Sequence, residues 1–437
     1  MTLTLRALLG ATVSLTLAGA ALAETTITVA TVNNGDMIRM QGLMDDFYAK
    51  HPDIKVEWVT LEENVLRQNV TNDIATNGGQ YDVMTIGTYE VPIWGKLGWL
   101  EGLNDLPASF DVDDLLPAIR SGLTVDGTLF ASPFYGESSF VNYRKDLAEK
   151  AGVTIPDQPT WDDIMKAAAA MNDPANGVFG ICLRGKAGWG ENMAFLTTMA
   201  NSYGARWFDE NWHPQFDSPE WKATLTDYVD VMTKYGPPGA SNNGYNENLT
   251  LSLQGKCAIR MDATVSASSL LDPKQTEFAD KVGFALAPDK GLGKRANWLW
   301  AWSLAIPASS DSKDAAKTFI DWATNKDYLA LVASKEGWAN VPPGTRTSLY
   351  ANPEYAALPF AKMTIDSINA ADPAHPTVQP VPYVGVQFVA IPEFAGLATS
   401  VGEIFSAALA GQKSVDDALA EAQALATEEM TTAGYIK

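Results

Sequence analysis

Residues 25–32 read TTITVATV, β-branched and partly alternating, and Asn33, Asn34, Gly35 and Asp36 then interrupt the run with turn chemistry. From residue 37 to residue 48 the period changes. Met40, Leu43, Met44, Phe47 and Tyr48 fall at three- and four-residue spacing, which predicts one helix face ending ahead of Pro52. Val56 and Trp58 mark a second strand, residues 62–76 a helix stopped by Asn77-Gly78-Gly79, and residues 81–86 a short buried strand. Strands alternating with helices in this way predict a parallel sheet covered on both faces.

Asp126-Gly127, set between Leu123-Thr124-Val125 and Thr128-Leu129-Phe130, predicts a tight hairpin. Past Pro133 and the polar stretch Tyr135-Gly136-Glu137-Ser138 a second alternating series begins. Thr160 with Asp163 three residues on predicts a capped helix start, and Ser218-Pro219 predicts another, opening a helix over 220–234. Strands are expected at 178–183, 256–261, 282–286 and 298–306, and a helix over 309–323. The tail reads as helical with a Pro-rich interruption at 373–382, and the chain has no fixed-period repeat and no low-complexity tract.

The 437 residues exceed the roughly 250–300 at which a single core stops growing, so two lobes are expected. Arg6, an apolar stretch over 7–20 and Ala21-Leu22-Ala23 have the form of a signal peptide with its cleavage site. That stretch is shorter than the roughly 20 residues a bilayer-spanning helix needs. The expectation is a secreted chain starting near Glu24, without membrane insertion. With 52 acidic and 31 basic residues, the surface disfavours nucleic acid and anionic lipid, both of which need basic patches. Cys182 and Cys257 are the two cysteines, and two readings stand: a disulfide in an oxidising compartment, or two buried thiols acting as small hydrophobes.

The runs from TITVATVNNGDMIRMQGLMDDFYAKHPDI to GTYEVPIWGKLGWLEGL, then ASPFYGESSFVNYRKDLAEKAG, TWDDIMKAAAAM, GKCAIRMD and WSLAIPASSDSKDAAKTFIDWAT, resemble the extracellular solute-binding proteins of carbohydrate import. The resemblance covers essentially the whole mature chain. NWLWAWSLAIP is most similar to the receptors for sorbitol, mannitol and related polyols in ABC transporters. It implies an α/β fold of the two-lobed periplasmic binding protein type, with a ligand cleft and hinge between the lobes. Lobe 1 would comprise residues 24–133 plus 308–352, and lobe 2 residues 134–307 plus 353–437. The implied function is that of a periplasmic, monomeric receptor that closes on a small neutral polyol or sugar and presents it to the permease subunits, with no cofactor. A receptor for a mono- or disaccharide, a chemosensory input domain and a secreted carbohydrate-active hydrolase are the alternatives.

A neutral polyol offers hydroxyls along one edge and C–H groups along its faces, so its site needs amide and carboxylate groups together with aromatic rings. Loops at the carboxyl ends of strands are where open α/β sheets expose such groups. Candidates on that ground are Asn33, Asn34 and Asp36 after the first strand, which also suit an ordinary turn, and Tyr89 and Glu90 after the third, which also suit a helix cap and a surface carboxylate. Tyr135, Glu137 and Ser138 lie at the proposed crossover. Arg184, Trp189 and Glu191 sit in a Gly-rich loop without phosphate-loop spacing, and Asp262 stands at a strand end. Trp298, Trp300 and Trp302 share parity, which places all three on one strand face. One or two are expected in the cleft and the rest in lobe packing. Phe388 and Phe394 sit where similar proteins carry a further stacking ring.

Catalytic patterns are wanting. His51, His213 and His375 are the only histidines, no HExxH or GxSxG occurs, and two cysteines cannot build a zinc site of the usual spacing. Acidic pairs such as Asp113-Asp114 usually face water.

Overall fold

The computed structural model describes residues 24–437. The expected signal peptide, residues 1–23, lies outside the described residues. The strands in chain order are β1 (Thr25–Val32), β2 (Ile54–Leu61), β3 (Val83–Ile86), β4 (Thr124–Val125), β5 (Thr128–Leu129), β6 (Ala131–Glu137), β7 (Ser139–Arg144), β8 (Phe179–Cys182), β9 (Cys257–Ala263), β10 (Val282–Leu286) and β11 (Trp300–Ala305). One sheet has the order β2-β1-β3-β11-β6, a second has the order β10-β7-β9-β8, and β4 pairs with β5 as the expected hairpin. Each larger sheet is flanked by helices and forms the centre of one lobe. No described helix is long and apolar enough to cross a membrane.

The parallel sheet expected at the N-terminus holds for three strands: β1 runs parallel to β2 and β3. β11 then enters antiparallel to β3 and β6, so the sheet is mixed. The single helix expected over 37–48 is two, Gly35–Gly42 and Met44–Lys50, broken at Leu43, whose N–H reaches the Met40 carbonyl. Glycine weakens the helix at its end, yet Met40, Met44 and Phe47 stay buried on one side of the pair. Hydrophobic spacing therefore continues across a break it does not report. The other caps form as their residues dictate. Thr160 and Asp163 make a reciprocal capping box, the Ser218 side chain accepts from Trp221 N–H ahead of Pro219, and Asn77 ends the helix Glu63–Thr76 in the left-handed region at φ 53°.

β6 was not expected as a strand, because Pro133 and Gly136 read as a break. The ladder accommodates the proline with a bulge: Trp302 faces Tyr135 and Ser303 faces Pro133, leaving Phe134 unpaired. Proline has no N–H to give, so pairing slips there. β6 ends at Glu137 in the five-stranded sheet and β7 begins at Ser139 in the four-stranded one. Ser138 is thus the first crossing between lobes, four residues beyond the boundary drawn at 133/134. The second lies within 287–299, ahead of β11, because β11 belongs to the five-stranded sheet, and not at 307/308. The helices Phe394–Leu409 and Val415–Thr432 pack on the helices Asn192–Ser202 and Pro219–Tyr235 of the four-stranded lobe.

Of the two cysteine readings, the disulfide is correct. Cys182 and Cys257 are joined with their Cα atoms 5.9 Å apart, tying together the neighbouring parallel strands β8 and β9.

Candidate functional site

The lobes enclose a small crevice with a cavity volume of about 50 Å³. One wall rises from the five-stranded sheet. β11 presents Trp300 and Trp302, and their partners across the ladder on β6 are Glu137 and Tyr135. Strand alternation puts all four on one face. Asn34 caps the helix Gly35–Gly42 through its side-chain oxygen and donates its amide N–H to the Tyr135 hydroxyl. Lobe 2 supplies the opposite wall through the loop after β8, with Arg184, Lys186, Trp189 and Glu191, and through Tyr245 and Trp298.

Two guanidinium groups organise these walls. Arg67, from the helix Glu63–Thr76, lies 4.0 Å from the Trp189 ring centroid, 4.5 Å from that of Trp302 and 4.9 Å from that of Trp300. Its Nε and Nη2 donate to Glu63 Oε1 at 3.0 and 2.9 Å, and its Nη1 donates to Glu90 Oε1 at 2.8 Å. The Glu90 carboxylate also accepts from Gly87 N–H at 2.9 Å. Arg184 donates to Asp262 at 2.7 Å and to the Gly190 carbonyl at 2.8 Å, with Glu191 3.4 Å away. Burial alone would depress the Arg184 guanidinium, but Asp262 and Glu191 reverse this and hold its pKa well above the usual value. Burial would likewise raise Asp262; Arg184 and Arg260 beside it bring its carboxyl below the ordinary range.

Glu137 differs from these paired carboxylates. Burial, opposed by the nearby Arg184 charge, pushes its pKa up to about 8, and among the described residues no hydrogen bond holds its carboxyl. Glu191 is also raised by burial, against the pull of Arg184. The phenol of Tyr245 is raised by burial and likewise has no hydrogen-bond partner among the described residues. A protonated carboxyl and a phenol, each able to donate and to accept, therefore face the crevice uncommitted, the provision a hydroxylated guest requires.

The crevice is shut. Lys186 Nζ meets Glu62 Oε1 at 2.6 Å, Asn64 donates to the Ala187 carbonyl at 3.1 Å, and Asn246 donates to Asn33 at 3.2 Å, each bond running between lobes. The glycines of the loop permit this approach. A Cβ at Gly190 would come within 2.2 Å of Glu63 Oε1 and 2.9 Å of Arg67 Nε.

Bacterial extracellular solute-binding proteins match this chain over residues 34–330. The chain belongs to that family. A mannitol-binding protein of Pseudomonas aeruginosa is 58% identical to this solute-binding protein over 94% of both chains. The crystal structure of an ABC transporter solute-binding protein from Agrobacterium vitis S4 with bound D-mannitol superposes with a TM-score of 0.94 at 68% identity, covering 94% of this chain and 100% of that one. A solute-binding protein from Agrobacterium radiobacter K84 in complex with ribitol aligns with a TM-score of 0.81 at 26% identity, over 93% and 99% of the two chains.

The solute-binding protein brings nine of the sequence candidates to the crevice: Asn34, Tyr135, Glu137, Arg184, Trp189 and Glu191, and all three of Trp298, Trp300 and Trp302. Trp298 precedes β11 and reaches the crevice from a loop, so strand parity does not account for it. The other eight lie outside the lining. Asn33 bridges the lobes at the rim, and Asp36 is buried against Arg39. Tyr89 packs beneath Trp189 with its hydroxyl donating to the Ile391 carbonyl at 3.0 Å, while Glu90 holds Arg67. The Ser138 hydroxyl donates to the Trp298 carbonyl at 2.7 Å and pins the crossing. Asp262 anchors Arg184; Phe388 and Phe394 back Tyr89 at 5.6 and 5.9 Å between ring centroids. Sequence reasoning missed Arg67, Lys186, Tyr245 and Gln387, which line the crevice. Arg67 stands mid-helix, where an arginine reads as solvated surface, and its burial against three indoles from distant segments leaves no local signal.

Proposed function

We propose that this solute-binding protein is the periplasmic receptor of an ABC importer and captures a linear polyol, D-mannitol foremost, by closing its lobes and presenting the closed shape to the permease. The observation that carries the reading is the 68% identity to a chain with D-mannitol bound, joined to a crevice whose Glu137 and Tyr245 side chains have no hydrogen-bond partner among the described residues. Micromolar affinity is about −8.2 kcal/mol, and a hydrogen bond nets about 0.5–1.5 kcal/mol after exchange with water. Many contacts from both lobes are therefore required, and ligand favours closure by its greater affinity for the closed form. Residues 1–23 are removed on secretion, and the bound polyol is released chemically unchanged.

Isothermal titration against mannitol, sorbitol, arabitol and maltose tests this. A linear polyol is expected to bind with the highest affinity, and tight maltose binding with none for polyols would sink the reading. Ligand recovered after denaturation is expected intact; its depletion would point to an enzyme.

A further inference from the structure

We infer that Arg67 is the residue by which this receptor prefers an open-chain polyol to a ring sugar. The inference rests on the polyol reading and adds the source of its selectivity. Ring sugars bind proteins by laying a C–H face on an aromatic face, and a crevice with three adjoining indoles offers the surface for that. Here the surface is taken. The Arg67 guanidinium stands 4.0, 4.5 and 4.9 Å from the ring centroids of Trp189, Trp302 and Trp300, an attraction between cation and ring quadrupole that strengthens when desolvated. Trp298, the remaining indole of the lining, has Arg184 5.4 Å from its centroid.

Arg67 is not free to swing aside. Glu63 holds two of its nitrogens, Glu90 a third, and Gly87 N–H fixes the Glu90 carboxylate in turn. Nor do the indoles have room to retreat. Trp300 lies so close to the Gly87 backbone that a Cβ there would fall 2.0 Å from its ring, and Trp302 meets Trp300 edge-on at 5.5 Å. What remains for a guest is the polar side of the crevice: Glu137, Tyr245 and the two N–H groups of Arg67 left after three of its five are used within the protein. A flexible chain of hydroxyls can follow that line of donors and acceptors. A rigid pyranose needs a bare aromatic face, and Arg67 covers it.

The test is titration of the parent protein, Arg67→Ala and Arg67→Lys with D-mannitol and D-glucose, alongside thermal melts. For Arg67→Ala we expect mannitol to weaken about tenfold or more and D-glucose, silent with the parent, to give measurable heat. Arg67→Lys keeps the charge but not the planar fork and should recover part of the mannitol affinity with little glucose binding. Should Arg67→Ala fail to melt cooperatively because Glu63 and Glu90 lose their counter-charge, Arg67→Met with Glu63→Gln and Glu90→Gln removes both charges and is read the same way. A folded variant that keeps mannitol within about threefold of the parent, or loses it without gaining a ring sugar, overturns the inference. A parent that binds D-glucose as tightly as mannitol overturns it too. A parent that binds no linear polyol defeats the polyol reading itself, which separates the two failures.

Discussion

The two arginine centres of the crevice look alike and do different work. Each sets a guanidinium against aromatic rings and neutralises it with two carboxylates. Arg184, Asp262 and Glu191 all belong to the four-stranded lobe and join the loop after β8 to the end of β9, so their bonds persist whether the lobes are open or shut. Arg67 has its carboxylates in lobe 1 and its nearest indole, Trp189, in lobe 2. Its stacking on Trp189 exists only on closure. One centre shapes a wall, and the other reports that the walls have met.

Breaking the first centre should have the largest effect. Asp262→Ala leaves Arg184 and Arg260, both buried partners at 2.7 and 3.2 Å, without their shared carboxylate. The expected cost is about 3–5 kcal/mol, read by urea denaturation. A loss below about 1 kcal/mol would show that water relieves the site. Reducing the Cys182–Cys257 disulfide opens a loop of 75 residues in the same lobe and should cost about 2–4 kcal/mol, again by urea titration, with polyol binding retained wherever the protein stays folded.

The third prediction concerns Glu137, which stands between the centres. Its pKa is raised to about 8 by burial, so across the range from its ordinary carboxyl value to about 8 the folded, closed protein holds a proton that the unfolded chain has lost. Stability of the ligand-free closed form should therefore fall as pH rises from 5 to 8, by at most about 1.4 kcal/mol per pH unit for one group. Glu137→Gln should flatten that slope in melts across this range. An unchanged slope would assign the effect to Glu191, which burial also raises.

The smallest effect is expected at the rim. Lys186 and Glu62 meet at 2.6 Å across the lobes but remain about a third exposed, so Lys186→Ala should weaken closure by about 0.2–1 kcal/mol. That is a severalfold or smaller loss of polyol affinity at low salt, fading as ionic strength rises, with the melt in urea unchanged. A large, salt-independent loss would make Lys186 a ligand contact and erase its contrast with Arg67.

The elements that could be read from the sequence are those whose cause is local. β1 and β10 occupy the residues their β-branched and apolar runs mark. The Thr160 and Ser218 caps form because a hydroxyl and the backbone three residues on are neighbours in any helix start. β6 escaped because Pro133 and Gly136 suggest a break, and only a partner strand carrying a bulge shows how a ladder tolerates them. Within the site, Trp300 and Trp302 were legible through strand parity, Asn34 through its place after β1. Asp36, Tyr89 and Asp262 were chosen by the same reasoning, yet each faces a partner in its surroundings and not the crevice. Position at a strand end says that a side chain is near the cleft. It does not say what the side chain touches.

By itself, the sequence determined the alternation of strands and helices, the division into more than one lobe, the capping of the helices and the supply of indoles and carboxylates. All of these follow from propensity, period and size, which act over a few residues or over the whole chain at once. Only the tertiary structure decided that the crossing is at Ser138, that Cys182 meets Cys257, and that Arg67 lies across three tryptophans from two lobes. Those choices depend on which distant surfaces come within a few ångströms, where desolvation and pairing set the energy of a charge, and no stretch of sequence carries that distance.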